Sequence, residues 1–294
     1  MAWFSIQACC FDDLMQLPVR ARKGIADYTH YNDRVNPATA EHLLELNRRF
    51  YAERGRDFSD TRLRVQPGVR RILETLRGNE AILDLGCGNG AFALALSRNS
   101  HRGRYLGIDF SASLLEDAHR ARYNFPVQFL QTDLMALVRG GGLPAKPVAA
   151  PPRGSVAPAP GDSFFMAGGW SLITAFAVLH HIPGVDLRLA LLRQIRHWLE
   201  ADGLFILSNW QFSESPRLQR RIQPWSTLGL EREVDTGDFL MEWRRGGQAL
   251  RYVHEFHEDE LVELATQCGF AVATTFYSDG ADRRSGLYEV WRPL

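Results

Sequence analysis

Residues 82–90 read Ile82-Leu83-Asp84-Leu85-Gly86-Cys87-Gly88-Asn89-Gly90, and the reading of this stretch decides the fold. Its apolar head suits a buried strand. Three glycines at alternate positions then form a turn whose backbone can approach a ligand closely. The run Ala91–Ser97 continues it as a helix. A strand, a glycine turn and a helix place a binding loop at the carboxyl edge of a parallel sheet, beside the switch point where such sheets take ligands. The spacing is G-x-G-x-G with an acid before it. A pyrophosphate is held by G-x-G-x-x-G instead, which disfavours a dinucleotide oxidoreductase.

Outward from this turn the pattern alternates. Strands are expected at Ala81–Leu85, Tyr105–Asp109, Val127–Gln131, Ser171–Ala177 and Leu204–Asn209. Helices are expected at Ser113–Arg120, Leu187–Leu199 and Glu258–Cys268. Strands at Ala271–Tyr277 and Gly286–Trp291, joined by a short Asp279-Gly280 connection, read as a terminal antiparallel hairpin. The class is therefore α/β, a mostly parallel seven-stranded sheet with helices on both faces. Upstream, Asn36-Pro37 starts a helix with Leu43, Leu44, Leu46, Phe50 and Tyr51 at helical spacing, and Gly68–Leu76 forms a second. Residues 1–64 are expected to be an extension and helical cover, and residues 65–294 the main domain. Within it, residues 139–163 hold six of the fourteen prolines and read as a flexible insertion. Residues 211–250, with Phe212, Trp225 and Trp243 as anchors, read as a lid over the substrate.

Composition narrows the partners. The chain has 294 residues and a formal net charge of zero, so a surface built to grip nucleic acid along its length is not indicated. Only Lys23 and Lys146 are lysines. Arginine is spread along the whole chain, as a compositional habit would leave it. Arg48–Arg77 holds nine arginines against four acids, a face for either phosphate contacts or surface ion pairs. Cys9, Cys10, Cys87 and Cys268 fit neither a zinc site nor a disulfide framework, and no metal site is expected. The start carries Asp12 and Asp13 and lacks a basic segment, so it does not read as a signal peptide. A cytoplasmic location without a membrane span is expected; a partner protein is not indicated.

Two further acids end successive strands. Asp109, in Gly107-Ile108-Asp109-Phe110-Ser111, can accept hydrogen bonds from ribose hydroxyls; a helix cap is its other reading, although Ser111 is better placed for that. Asp133, in Gln131-Thr132-Asp133-Leu134, can accept from an adenine amino group or cap a helix. With the glycine turn and the Ala175-Phe176-Ala177-Val178-Leu179-His180-His181 segment, these motifs resemble the class I methyltransferases dependent on S-adenosylmethionine (SAM), over roughly residues 65–294. The resemblance implies a Rossmann-like fold with SAM as cofactor. It implies that Asp84, Gly86, Cys87, Gly88 and Gly90 line the methionine end, Asp109 and Phe110 the ribose, Asp133 and Leu134 the adenine, and Phe176 and Ala177 the donor flank.

Three further pieces, Phe58-Ser59-Asp60-Thr61-Arg62, Val178-Leu179-His180-His181 and Arg251-Tyr252-Val253-His254 followed by Glu258-Asp259-Glu260-Leu261, resemble the eukaryotic enzymes that esterify a carboxymethyl group on wobble uridine of tRNA. Gln66-Pro67 stands where that family has Trp-Pro. Val253 replaces an aromatic, Trp170-Ser171 replaces Phe-Asp, and the proline-rich insertion is foreign. This resemblance implies His180, His181 and Arg62 as groups acting on the acceptor, with Arg251, Tyr252 and His254 binding it. The expected activity is SAM-dependent methyl transfer to a small anionic metabolite or to a modified tRNA uridine. The alternative is a non-catalytic SAM-fold subunit, against which the intact glycine turn and acid set speak.

Overall fold

The computed structural model describes residues 35–59, 64–143, 152, 154–156 and 169–294. The first helix, α1 (Pro37–Ser59), begins where Asn36 Oδ1 accepts from the backbone N–H of Ala38 (2.9 Å) and Thr39 (3.0 Å), with Pro37 at the first helical position. α2 (Pro67–Leu73) is shorter than the sequence pattern suggested.

The central elements follow as β1 (Ile82–Leu85), α3 (Ala91–Arg98), β2 (Tyr105–Asp109), α4 (Ala112–Arg120), β3 (Val127–Gln131), α5 (Leu134–Gly140), β4 (Trp170–Phe176), α6 (Val185–Trp198) and β5 (Leu199–Trp210). After α7 (Pro216–Gln219), β6 (Ile222–Gln223), β7 (Asp238–Trp243) and β8 (Ala249–His254) come α8 (Glu258–Gln267), β9 (Phe270–Ser278) and β10 (Gly286–Pro293). The main sheet has seven strands in the order β3-β2-β1-β4-β5-β10-β9. Its first five strands pair in parallel, and β10 is antiparallel to both β5 and β9. β1 lies between β2 and β4, so the strand order reverses beside the glycine turn. Alternation along each strand feeds two cores. Leu83, Leu85 and Ile108 point to one face with Leu191 and Trp198, and Ile82, Tyr105 and Phe129 to the other with Phe92.

Three features go beyond the sequence pattern. Residues 211–250 are more regular than a polar stretch suggests. They supply most of a three-stranded antiparallel sheet, β6-β7-β8, which runs on to His254 and has its own apolar clusters around Leu240 and Tyr252 and around Phe212 and Val253. The terminal hairpin turns through residues 279–285, a longer loop than Asp279-Gly280. In the proline-rich segment, Ser155 docks on the edge strand β3. Its Oγ accepts from Val127 N–H at 2.9 Å and donates to Val127 O at 3.0 Å, closing backbone groups that an edge strand otherwise leaves open. No helix among the described residues is long and apolar enough to cross a membrane.

Candidate active site

A cleft of about 730 Å³ opens at the carboxyl edge of β1, β2 and β4. Its floor is the glycine turn. Gly88 has φ +55°, a left-handed conformation that suits a residue without a side chain, and its N–H donates to Asp109 Oδ2 at 2.9 Å. Asp109 Oδ1 accepts from Ser111 N–H at 2.8 Å. The turn and the carboxylate are therefore one locked unit. Each Asp109 oxygen takes one backbone donor and retains acceptor capacity for a hydroxyl. Burial pushes the Asp109 carboxyl up to about 6. Asp84, also on the cleft wall, is raised to about 6 by burial, opposed by hydrogen bonds from Tyr105 Oη (2.5 Å) and Thr174 Oγ1 (2.7 Å).

Gly86, Cys87, Phe110, Leu134, Phe176 and Ala177 also line the cleft. Ala177 has φ +58°, and its N–H is held by Ser208 O at 2.9 Å and Oγ at 3.1 Å. Such backbone costs on the order of 1–3 kcal/mol and persists where surrounding contacts impose it. Here it turns the chain out of β4 into the 3-10 turn Leu179–His181. Burial pushes the Cys87 thiol up, so it is a neutral wall rather than a nucleophile. Gly90 does not line the cleft. It starts α3, and a Cβ there would meet the Tyr123 hydroxyl at 2.8 Å and Ala118 Cβ at 3.0 Å, so its role is packing.

Asp133 reaches the cleft but is engaged on three sides. Oδ1 caps α5 by accepting from Met135 N–H (2.7 Å) and Ala136 N–H (3.3 Å), and Oδ2 pairs with Arg48 Nε at 2.8 Å. The cap reading holds for its side chain, which also ties α1 to the sheet. Ser111, by contrast, makes no side-chain cap; Asp109 takes its N–H instead.

Both histidines lie in the cleft wall, their rings 4.3 Å apart. His180 is buried, and its Nδ1 accepts from Trp210 N–H at 3.3 Å, which puts its ring proton on Nε2. His181 Nδ1 lies 3.2 Å from Tyr252 O, an acceptor, so Nδ1 carries the proton and Nε2 accepts from the Tyr51 hydroxyl at 2.9 Å. Tyr51 lines the cleft and packs edge-on against Phe110 at 5.8 Å. The role of Tyr51 was not read from the sequence. Nor was that of Asn47, whose Oδ1 accepts from Tyr252 N–H (2.8 Å) and whose Nδ2 donates to Tyr252 O (3.1 Å). Their signal is a polar amide and a phenol on the apolar face of α1, one turn apart.

Tyr252 and His254 do not line the cleft, and both are buried. The Tyr252 hydroxyl donates to Asp238 Oδ1 at 2.7 Å and accepts from Arg188 Nη2 at 3.0 Å. His254 stands between Asp238 (Nδ1 to Oδ1, 2.7 Å) and Glu260 (Nε2 to Oε1, 3.0 Å). Carboxylate oxygens thus face both of its ring nitrogens. Arg188 Nε donates to Ile182 O at 2.9 Å, next to His181. This buried network fastens the small sheet to α6 and to the backbone beside the histidine turn. Alternation along β8 is the reason. Residues 252 and 254 share one face and Arg251 takes the other, so the three cannot meet in one pocket. Arg251 does line the cleft. Arg62 lies outside the described residues.

Asp109 offers acceptor capacity for hydroxyls, and Phe110, Leu134 and Tyr51 line the same cleft. A methyltransferase-domain family model matches residues 58–275, most of the chain. The chain belongs to the methyltransferase-domain family. A protein of Encephalitozoon cuniculi, assigned by its name to the methyltransferases, is 29% identical over 225 residues, 76% of this methyltransferase and 86% of the relative. The malonyl-[acyl-carrier protein] O-methyltransferase of Halalkalibacterium halodurans is 27% identical over 187 residues, 62% of this chain and 59% of that one. Among solved structures, the DhpI-SAM-HEP complex superposes with a TM-score of 0.58 at 20% identity, covering 85% of this chain and 98% of that one. The Burkholderia thailandensis 1,6-didemethyltoxoflavin-N1-methyltransferase, bound to its acceptor and S-adenosylhomocysteine, gives 0.55 at 19% identity, covering 88% and 91%. At these identities the likeness establishes the Rossmann-like class I fold of this methyltransferase.

Proposed function

We propose that this methyltransferase takes its methyl group from SAM and delivers it to a small acceptor carrying negative charge. The observation that carries the donor is the Gly88–Asp109 hydrogen bond at the switch point of the sheet, which fixes a diol acceptor and a ligand-admitting turn together. When bound, SAM supplies a methyl on a positively charged sulfur, open to in-line attack. The chain's own work is alignment. Asp109 would hold the ribose, Phe110, Leu134 and Tyr51 the base, and the Gly86–Gly88 turn with Phe176 and Ala177 the remainder. Positioning of this kind supplies up to roughly 7–11 kcal/mol of a barrier. His180 and His181, with their tautomers set by Trp210 N–H and Tyr252 O, present Nε2–H and a Tyr51-bonded ring to the acceptor side.

The small acceptor is favoured over tRNA by three features. The cleft volume falls within the roughly 300–1,000 Å³ range of small-molecule sites. α1 and the small sheet both contribute to its walls. Two residues of the wobble-uridine motif, Tyr252 and His254, are committed to a buried network. The Halalkalibacterium relative is named for methyl transfer to oxygen on a malonyl carrier, which supports an acceptor with a carboxylate. The test is incubation with methyl-labelled SAM against a panel of small organic anions and against total tRNA. Label in a small anion is the expected result; label confined to tRNA would overturn the acceptor reading, and absence of SAM binding would overturn the donor.

A further inference from the structure

The cleft is electrically lopsided. Asp84, Asp109 and Asp133 lie at the ends of β1, β2 and β3, with Arg48 paired to Asp133; Asp279, held by Gly68 N–H and the Tyr288 hydroxyl, and Arg64 also line the cleft. At the other end the wall comes from the segment that builds the small sheet, and its charged residues are arginines: Arg217 in α7, Arg221 before β6, Arg245 in the β7–β8 turn and Arg251 in β8. Among the described residues, no carboxylate lies within ion-pair distance of Arg217, Arg221 or Arg245. Glu242 lies within electrostatic reach of Arg221, but its hydrogen bonds go elsewhere, as do those of Glu255. Glu242 pairs with Arg244 (2.7 Å) and accepts from Gln248 (2.8 Å), and Glu255 accepts from the N–H groups of Phe212 (3.1 Å) and Ser213 (3.0 Å).

Arg251 forms the inner wall. It is 8% exposed, and its guanidinium lies 4.9 Å from the Trp210 ring centre, 5.2 Å from Phe50 and 5.8 Å from Trp243. Guanidinium is weakly hydrated and tolerates such packing, where an ammonium would not. A cation held this way contributes a fixed positive field where water screens poorly. Adding Arg217, Arg221 and Arg245 around the same opening concentrates like charge, which is favourable only when an anion bridges it. A single carboxylate is matched by one bidentate arginine; the arrangement offers more than that.

We infer that this end of the cleft binds a compact group carrying two negative charges, a phosphoryl group or a pair of carboxylates, and that Arg217, Arg221 and Arg245 set that preference. Naming this group as part of the methyl acceptor rests on the proposed function; the anion site itself does not. Because Arg217, Arg221, Arg245 and Arg251 come from the one segment that builds the small sheet, acceptor choice is a property of that segment, and donor binding belongs to the main sheet.

The test is calorimetric titration of the full chain, saturated with S-adenosylhomocysteine, with inorganic phosphate, malonate, acetate and malonamide at constant ionic strength. Phosphate or malonate should bind at least about tenfold more tightly than acetate, with malonamide undetectable. The tighter of the two identifies the phosphoryl or the dicarboxylate form. Arg217→Gln and Arg221→Gln should each weaken that binding about fivefold or more, and Arg120→Gln, on the exposed face of α4, should not. Equal binding of acetate, or no effect of either substitution at the cleft, overturns the inference. So does binding of a short oligouridylate that depends on Arg217 and Arg221 when phosphate and malonate do not bind. S-Adenosylhomocysteine affinity is read separately: its absence with dianion binding intact overturns only the donor reading.

Discussion

The Tyr51 hydroxyl donates to Nε2 of His181 across 2.9 Å, joining the N-terminal helix to the turn that follows β4 inside the cleft. The pair sits between Phe110 on the donor side and His180 on the other. Tyr51→Phe keeps the ring and removes this bond. Turnover should fall about three- to tenfold, as expected for losing a neutral hydrogen bond worth about 0.5–1.5 kcal/mol. Affinity for S-adenosylhomocysteine should stay within about twofold. Unchanged turnover would reduce the pair to an anchor for α1.

Donor affinity should depend on pH through Asp109. Burial raises its carboxyl to about 6, and ribose hydroxyls donate to the ionised form. Binding should therefore be strong above pH 6 and weaken about tenfold between pH 7 and pH 5. Asp109→Asn should bind more weakly at pH 7 and lose most of this dependence. A flat profile for the parent protein would refute the assignment. The sign for stability is opposite. The folded pKa lies above the ordinary 3.8, so the ligand-free protein holds this contribution below pH 4 and loses it as pH rises through about 6.

Asp238 receives His254, Tyr252 and Arg188, with its side chain fully buried. Asp238→Ala leaves the buried Arg188 guanidinium with Glu260 as its remaining carboxylate partner. It should cost about 3–5 kcal/mol in denaturant unfolding, the usual effect of breaking a buried charged pair by removing one partner. A loss below about 1 kcal/mol would mean that the network relaxes without it.

Ser155→Ala should cost about 1 kcal/mol, because it frees Val127 N–H at the edge of the sheet. Replacing residues 144–151 alone with a short Gly-Ser link should leave the melting temperature within a few degrees, since lengthening or shortening a loop changes its closure entropy by only about 0.6 kcal/mol per doubling. Calorimetric melts of both variants check this.

The main sheet was legible because its strands are apolar and its helices amphipathic: Tyr105–Asp109 and Val127–Gln131 occupy the predicted residues. α5 has little sequence signature because it starts directly after β3, and an acid such as Asp133 suits a ligand group and a helix cap alike. The small sheet was missed because β6 has only two residues and β7 follows a polar stretch, so neither shows enough alternation to declare a strand. In the cleft, the glycine turn and Asp109 were readable from spacing. Arg251 was placed in the cleft with Tyr252 and His254 from a shared motif, and strand alternation separates them. Tyr51, Asn47 and Arg188 act across long sequence separations, and no local pattern announces such partners.

Asn47 has a consequence beyond the cleft. Its side-chain amide occupies both backbone groups of Tyr252, as a neighbouring strand would. A rim strand with free N–H and C=O groups is a template for a second molecule to add its own strand, and proteins guard such rims against aggregation. Here the guard is the Asn47 amide, which His181 Nδ1 joins at Tyr252 O. The rim of the small sheet is closed at Tyr252 for as long as α1 stays docked, so undocking of this helix would both open the catalytic cleft and expose the surface most suited to self-association.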